Sequence, residues 1–231
     1  MAALVFFIKK KDGSLQLVQD YWALNSVTVK NKYFFPLISE LMSQLRGARY
    51  FTKLDVHWGF NNVRIKPRDE WKVAFQTNRG LFKPLVMFFE ITNSPTTFQT
   101  MMNDIFQNLI AENIVVVYLD DILIFTKTEE KHAQVVWQVL QVLKENKLFL
   151  YPEKCEFYKQ QIKYLGLIIS ENEVSIDPVK VAGVQEWPTP ENKTDIQAFL
   201  GFVNFYQRFI QDFSAKARPL FGLTRSEQVW T

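Results

Sequence analysis

Val115-Val116-Val117-Tyr118-Leu119-Asp120-Asp121-Ile122-Leu123-Ile124-Phe125 decides how this chain is read: two adjacent carboxylates stand between two short β-branched apolar runs, each composed like a buried strand. A turn between buried strands recruits Asp for its local backbone hydrogen bonds, and such a turn asks for no third acid elsewhere. A two-metal phosphoryl-transfer site does, because its carboxylates must converge on cations roughly 3.5–4 Å apart that activate one oxygen and stabilise the leaving one. Asp55 is the candidate. It closes Tyr50-Phe51-Thr52-Lys53-Leu54-Asp55-Val56, another strand-like apolar run, so all three acids can meet at one edge of one sheet.

The rest of the composition allows that reading and excludes others. A chain of 231 residues with 48% hydrophobic content can bury a sizeable core, as one large domain or a few packed subdomains, and is expected to be folded and soluble. Cys155 stands alone, and His57 and His132 are the two histidines, so neither a disulfide framework nor a Cys/His zinc site can form. No apolar run approaches the ~20 residues of a membrane span, and Lys9-Lys10-Lys11 follows the opening apolar stretch on the wrong side for a signal peptide. No membrane role is expected. Residues 1–80 hold 13 Lys+Arg against 6 Asp+Glu, whereas residues 81–231 hold 14 against 18. The basic front half fits phosphate contact if its cations share a surface, and a solvated lysine face if they do not.

Leu4-to-Ile8 and Leu15-to-Val18 read as strands joined through Lys11-Asp12-Gly13-Ser14, a hairpin signal. Pro36, Leu37, Leu41, Leu45 and Gly47 outline a short amphipathic helix. Val63-to-Lys66 and Trp71-to-Phe75 alternate like half-exposed strands. Pro95 opens a helix with Phe98, Met102, Ile105, Phe106 and Leu109 on its stripe, and Thr128 caps another carrying Val135, Val136, Val139, Leu140 and Leu143. His132 on that helix reads as a surface or packing residue. Lys163-to-Ile169 and Val174-to-Ile176 form a second hairpin around Glu171-Asn172-Glu173. Asp177-Pro178 begins a helix, Trp187-Pro188-Thr189-Pro190 breaks it, and Thr194-x-x-Gln197 reads as a capping box for the next, whose aromatics read mainly as core.

At Ile8-to-Gly13, Asp20-Tyr21, Ala23-Leu24-Asn25, Lys53-Leu54-Asp55, Thr92-Asn93, Thr97-Phe98-Gln99, Tyr118-to-Asp121, Tyr164-Leu165-Gly166 and Phe199-Leu200-Gly201 the sequence resembles the reverse transcriptases of gypsy-type LTR retrotransposons. The words fall in the family's order over nearly the whole chain. The resemblance implies an α+β right-hand polymerase with an antiparallel palm sheet: fingers at 1–52 and 67–98, palm at 53–66 and 99–176 with a primer-grip hairpin, and thumb with the start of a connection at 177–231. It implies RNA-directed DNA polymerisation with Asp55, Asp120 and Asp121 catalytic, and two Mg2+ ions (Mn2+ able to substitute) held by these acids and the Val56 carbonyl. Lys10, Lys11, Gln16, Phe60, Phe89 and Tyr118 would line the nucleotide site, Phe60 being the family's barrier to a ribose 2′-hydroxyl. Lys163, Tyr164, Leu165 and Gly166 would form the primer grip. Partners would be an RNA or DNA template with primer and deoxynucleotide triphosphates, inside a cytoplasmic retroelement particle. Protease, integrase and ribonuclease H regions are not expected within these residues.

Five departures touch the nucleotide pocket. Gln16 and Trp22 stand where the family has Arg, His57-Trp58 where it commonly has Arg-Ser, and Phe88 and Glu90 where it has Pro and Gly. An alternative therefore stays open: a decayed or repurposed copy that binds nucleic acid and polymerises little.

Overall fold

The computed structural model describes residues 2–9, 13–33, 40, 43–171 and 173–225. Lys10 and Lys11, and most of the helix expected from Pro36, lie outside the described residues. The architecture is α+β with largely antiparallel sheets, and the chain divides into two units, Met1–Gln160 and Gln161–Thr231.

In the first unit, β1 (Ala3–Lys9) and β2 (Leu15–Gln19) pair antiparallel, with Gly13 at φ +84 in the turn between them. Helix α1 (Trp22–Val27) and strand β3 (Tyr50–Asp55) follow, then β4 (Phe75–Thr77) and β5 (Gly80–Phe82), which extend the first hairpin into a sheet of order β2-β1-β4-β5. Here two expectations fail. Trp71-to-Val73 is not a strand but part of a 3₁₀ turn, Glu70–Val73, and Arg64 keeps only an isolated bridge to Val86. Arg68 takes φ +76 directly after Pro67, which ends the segment that contains Arg64, and Asp69 N, Lys72 N and Ala74 N then bond to the carbonyls three residues back, which uses locally the groups a strand would need.

Helix α2 (Ser94–Ile105) starts with Pro95 in its first turn and ends at Phe106, so the expected single helix breaks there into α2 and α3 (Gln107–Ala111). Strands β6 (Val115–Tyr118) and β7 (Asp121–Thr126) pair antiparallel, β7 pairs β3, and β8 (Glu156–Lys159) completes a sheet of order β6-β7-β3-β8. Helix α4 (Glu129–Glu145) is capped by Thr128, with Glu129 and Glu130 at its positive end and Lys144 at its negative one. Leu54, Ile122, Ile124, Val115 and Val117 from the sheet meet Phe98 and Met102 of α2 and Val135, Val139 and Leu143 of α4 in one core. Val116, Leu123 and Phe125, which alternate with these residues, are buried as well, so β6 and β7 are covered on both faces.

His132 is fully buried in this core, which removes the surface reading of it. Its Nδ1 lies 3.0 Å from the Thr126 hydroxyl and its Nε2 2.7 Å from the Thr52 hydroxyl; Thr126 donates to the Thr128 carbonyl and Thr52 accepts from Tyr158 N. One neutral tautomer satisfies the set: Nδ1–H donates to Thr126 and Nε2 accepts from Thr52. Burial pushes the imidazole down to about 4 from its ordinary 6.5. The folded protein therefore resists a proton that the unfolded chain accepts, and this stability is present above pH 6.5 and lost as pH falls toward 4. Urea midpoints across that window are expected to fall by the equivalent of roughly 2 kcal/mol. A His132→Met variant, less stable at pH 7, should show a flatter slope; an unchanged slope would refute the assignment.

The second unit carries β9 (Gln161–Tyr164), β10 (Leu167–Ser170) and β11 (Val174–Ile176) in order β11-β10-β9. The run expected as one strand from Lys163 to Ile169 is interrupted at Leu165 and Gly166, both at positive φ, which makes it two strands around a tight turn. Helix α5 (Pro178–Gln185) is capped by Asp177, and α6 (Lys193–Asn204) and α7 (Phe213–Leu223) bury Ile196, Leu200, Val203 and Ala217 together. The α6 cap is Asn192, which accepts from Asp195 N while Asp195 accepts from Glu191 N, so the capping pair sits two residues before the expected Thr194 and Gln197. Trp187 packs 5.7 Å from Phe199 and 5.4 Å from Phe202, and those two phenylalanines lie partly buried against this core.

Candidate active site

Strand register alone brings two of the three acids together. β3 and β7 pair Leu54 with Ile122 and Asp55 with Asp121, and β6 and β7 pair Tyr118 with Asp121 at the hairpin end. Leu119 and Asp120 form the two-residue loop, and Val56 N donates to the Asp120 carbonyl at 2.9 Å, which ties that loop to the end of β3. Asp55, Asp120 and Asp121 therefore share one sheet edge, as the sequence reading required.

The edge is short of positive charge. Burial, then Asp55, then Asp121 push the Asp120 carboxyl up to about 6, and its Oδ1 is buried without a hydrogen-bond partner. Burial also raises Asp121, against the opposing pull of Lys53, whose Nζ lies 3.3 Å from Asp121 Oδ1. Lys154 Nζ lies 3.4 Å from Asp55 Oδ1 and 4.2 Å from the centre of the Tyr151 ring. Among the described residues no three acids, histidines or cysteines are drawn close enough to enclose an ion unaided. The donor set nevertheless suits a hard divalent cation: its side-chain donors are all oxygen, one is a buried orphan, and among the described residues Lys53 and the exposed Lys154 are the cations seen to offset three carboxylates.

Gly59 shapes this edge. It is buried in the 3₁₀ turn Gly59–Asn62, and a Cβ built there would run into Asp120 Oδ1 and come within 2.9 Å of both Asp120 Cγ and Phe98 Cζ. Asp120 thus occupies the space that a side chain at position 59 would fill. Phe60 is half-buried beside it, 5.5 Å from the Phe98 ring and 5.7 Å from Phe89, so the two predicted pocket aromatics meet each other next to the carboxylates. Tyr118 is half-buried at the mouth of the hairpin.

Each of the other expected site residues has its own surroundings. Gln16 is exposed on β2 opposite Ile8. Glu90 is half-buried: its backbone carbonyl accepts from Asn25 Nδ2 at 2.8 Å, burial raises its carboxyl, and its charge is felt at Tyr21. Trp58 takes a left-handed φ of 50 and stacks on His57, which also meets the Tyr151 ring edge-on at 4.2 Å. In the second unit Lys163 pairs with Asp177 at 3.3 Å, Tyr164 is buried, and Leu165 and Gly166 form the turn. Sequence reasoning missed Lys53, Lys154 and the role of Gly59. Lys53 alone left a local signal, since it shares a strand face with Asp55 two residues on.

A family profile described as reverse transcriptase (RNA-dependent DNA polymerase) matches residues 8–169. The chain is 38% identical over 229 residues to the Transposon Tf2-3 and Tf2-7 polyproteins of Schizosaccharomyces pombe, covering 99% of this chain and 17% of each polyprotein. The foamy viral protease-reverse transcriptase dRH in complex with double-stranded DNA shares the fold at a TM-score of 0.88 and 23% identity, over 100% of this chain and 41% of that one. The foamy viral protease-reverse transcriptase in complex with an RNA/DNA hybrid does so at 0.81 and 22%, over 100% and 31%.

Proposed function

The chain belongs to the reverse transcriptase (RNA-dependent DNA polymerase) family, and from that premise we propose that it is the polymerase part of a retroelement polyprotein, adding deoxynucleotides to a primer on an RNA or DNA template. The observation that carries this reading is the sheet edge itself: Asp55 faces Asp121 in register, and Asp120 presents a buried, unpartnered oxygen beside them. Asp55 and Asp120 would hold both of two divalent ions, with Asp121 supporting and the Val56 carbonyl adding a donor. Magnesium suits hard oxygen donors, and manganese substitutes. When bound, such ions neutralise charge on the triphosphate and leaving pyrophosphate and acidify the primer 3′-hydroxyl.

The chain's own residues do the positioning. Phe60, backed by the buried Phe98 ring and touched by the exposed Phe89, would form a wall where a ribose 2′-hydroxyl would otherwise fit. Lys10 and Lys11 would meet the triphosphate, and Lys163-to-Gly166 would hold the primer end. The basic front half supports a phosphate-lined path, and the reaction belongs in a cytoplasmic retroelement particle. Primer extension on a homopolymer template tests the reading: incorporation that needs magnesium or manganese and stops with chelator is expected. No incorporation with either metal would overturn it.

Glu90 is the departure expected to limit nucleotide binding most. Its carboxylate is partly desolvated, where charges are weakly screened, and it follows Phe89, which touches Phe60. Glu90→Gly is expected to lower the apparent KM for the deoxynucleotide triphosphate roughly fivefold, about 1 kcal/mol, and further when combined with Gln16→Arg. Steady-state constants that stay put in both variants would show that the Glu90 carboxylate does not act on the nucleotide.

A further inference from the structure

Gln99 is a fully buried amide in the middle of α2, and nothing in core packing calls for a glutamine there. Its Oε1 accepts from Leu119 N at 2.8 Å, and its Nε2 donates to the Val117 carbonyl at 3.0 Å and to Asn103 Oδ1 at 2.9 Å. The two backbone groups it grips flank Tyr118, immediately before the catalytic loop. Leu119 is the first central residue of that two-residue hairpin loop and takes φ 52, a left-handed conformation for which such turns ordinarily use Gly. Asp120 is therefore held from both sides, by Gln99 through Leu119 and by Val56 N on its own carbonyl.

The grip extends away from the site. Asn103 Nδ2 donates to the Tyr33 hydroxyl at 2.8 Å, and the segment before Tyr33 is fastened to the start of α2 by Asn93, which accepts from Asn31 N and donates to the Val29 carbonyl. We propose that Gln99, buttressed by Asn103 and Tyr33, is a positioning residue that forces Leu119 into its left-handed turn and so aims the Asp120 carboxylate at the metal position. The device explains a buried polar side chain and a strained leucine together: the amide supplies the two hydrogen bonds that the strained turn could not keep if it relaxed. This inference rests on the polymerase reading for what Asp120 does, and on geometry alone for how the turn is held.

The test compares Gln99→Leu, Gln99→Leu combined with Leu119→Gly, and Tyr33→Phe in the 231-residue protein. It measures Mn2+ binding by loss of the free-ion EPR signal, amide exchange of residues 115–121 without metal, and primer extension. Gln99→Leu is expected to speed exchange at Leu119, weaken Mn2+ at least tenfold and lower kcat more than the KM for template–primer. Adding Leu119→Gly should restore most of the Mn2+ affinity, because glycine reaches the left-handed turn without being forced. Tyr33→Phe, which keeps the core intact, should weaken Mn2+ two- to threefold. Parent-like exchange and Mn2+ affinity in Gln99→Leu would overturn the proposal, as would a loss that Leu119→Gly does not recover and that tracks a fall in melting temperature. Should Gln99→Leu not fold, unchanged Mn2+ binding in Tyr33→Phe would overturn the relay. A parent protein that binds no Mn2+ would instead refute the polymerase reading, while the exchange data would still report on how the turn is held.

Discussion

Asp120→Asn is expected to reduce primer extension at least roughly a thousandfold, about 4 kcal/mol of transition-state stabilisation, while making the protein more stable. The activity loss follows from removing a charged oxygen at the edge where Asp55, Asp120 and Asp121 converge. The stability gain follows from linkage. A carboxyl raised to about 6 by burial and like charge binds its proton more tightly folded than unfolded, so ionised Asp120 costs stability that appears as pH rises from about 4 through 6. Asn carries no such charge. The gain should be of order 1 kcal/mol near pH 7, a few degrees in melting temperature, and should vanish near pH 4. Extension at the parent rate would end the metal-site assignment, and a lowered melting temperature would restore the bland alternative of an Asp kept for its turn.

Gly59→Ala is the second large effect, expected to cost roughly a hundredfold in extension, the scale of a 1 Å misplacement of reacting groups. The added Cβ would overlap Asp120 Oδ1 and also crowd Phe98 Cζ at 2.9 Å. Phe98 is fully buried against the core and cannot yield, so the carboxylate moves. Overpacking should also lower stability by about 1–3 kcal/mol. Shortening the ring with Phe98→Leu opens room on the other side, and the double variant should recover part of the activity. Kinetics of Gly59→Ala within twofold of the parent would show that the space at residue 59 does not set the Asp120 position.

Several determinants of this protein are local and therefore lie open in its sequence. Alternating or continuous apolar runs at 50–56 and 115–125 set the strands and the Asp pair set the hairpin, but β6 and β7 are buried on both faces, so the register that opposes Asp55 to Asp121 came from the packed sheet. The family words fixed the architecture for the same reason: each is short and keeps its meaning wherever the rest of the chain goes. Even local signals fail where two neighbours offer the same chemistry. Asn192 and Thr194 are both competent caps, and Asn192 takes the place, in extended backbone with its side chain accepting from Asp195 N. Trp71-to-Phe75 alternates like a strand, but Lys72 N and Ala74 N bond back to the Asp69 and Trp71 carbonyls as a 3₁₀ turn, and the strand begins at Phe75.

What the tertiary structure alone decided is how the acids are held and charged. Lys154 meets Asp55 across 99 residues of sequence, and the Gln99 amide reaches Val117 across 18. Neither distance has a periodic signature, because it depends on how α2 and the loop before β8 pack on the sheet. The space that Gly59 leaves for Asp120 is likewise invisible in a sequence, where a glycine signals backbone freedom and not the side chain that needs its room. His132 shows the limit from the other side: on an amphipathic helix it reads as surface or filler, and only the meeting of Thr52 and Thr126 around it makes it a buried neutral base.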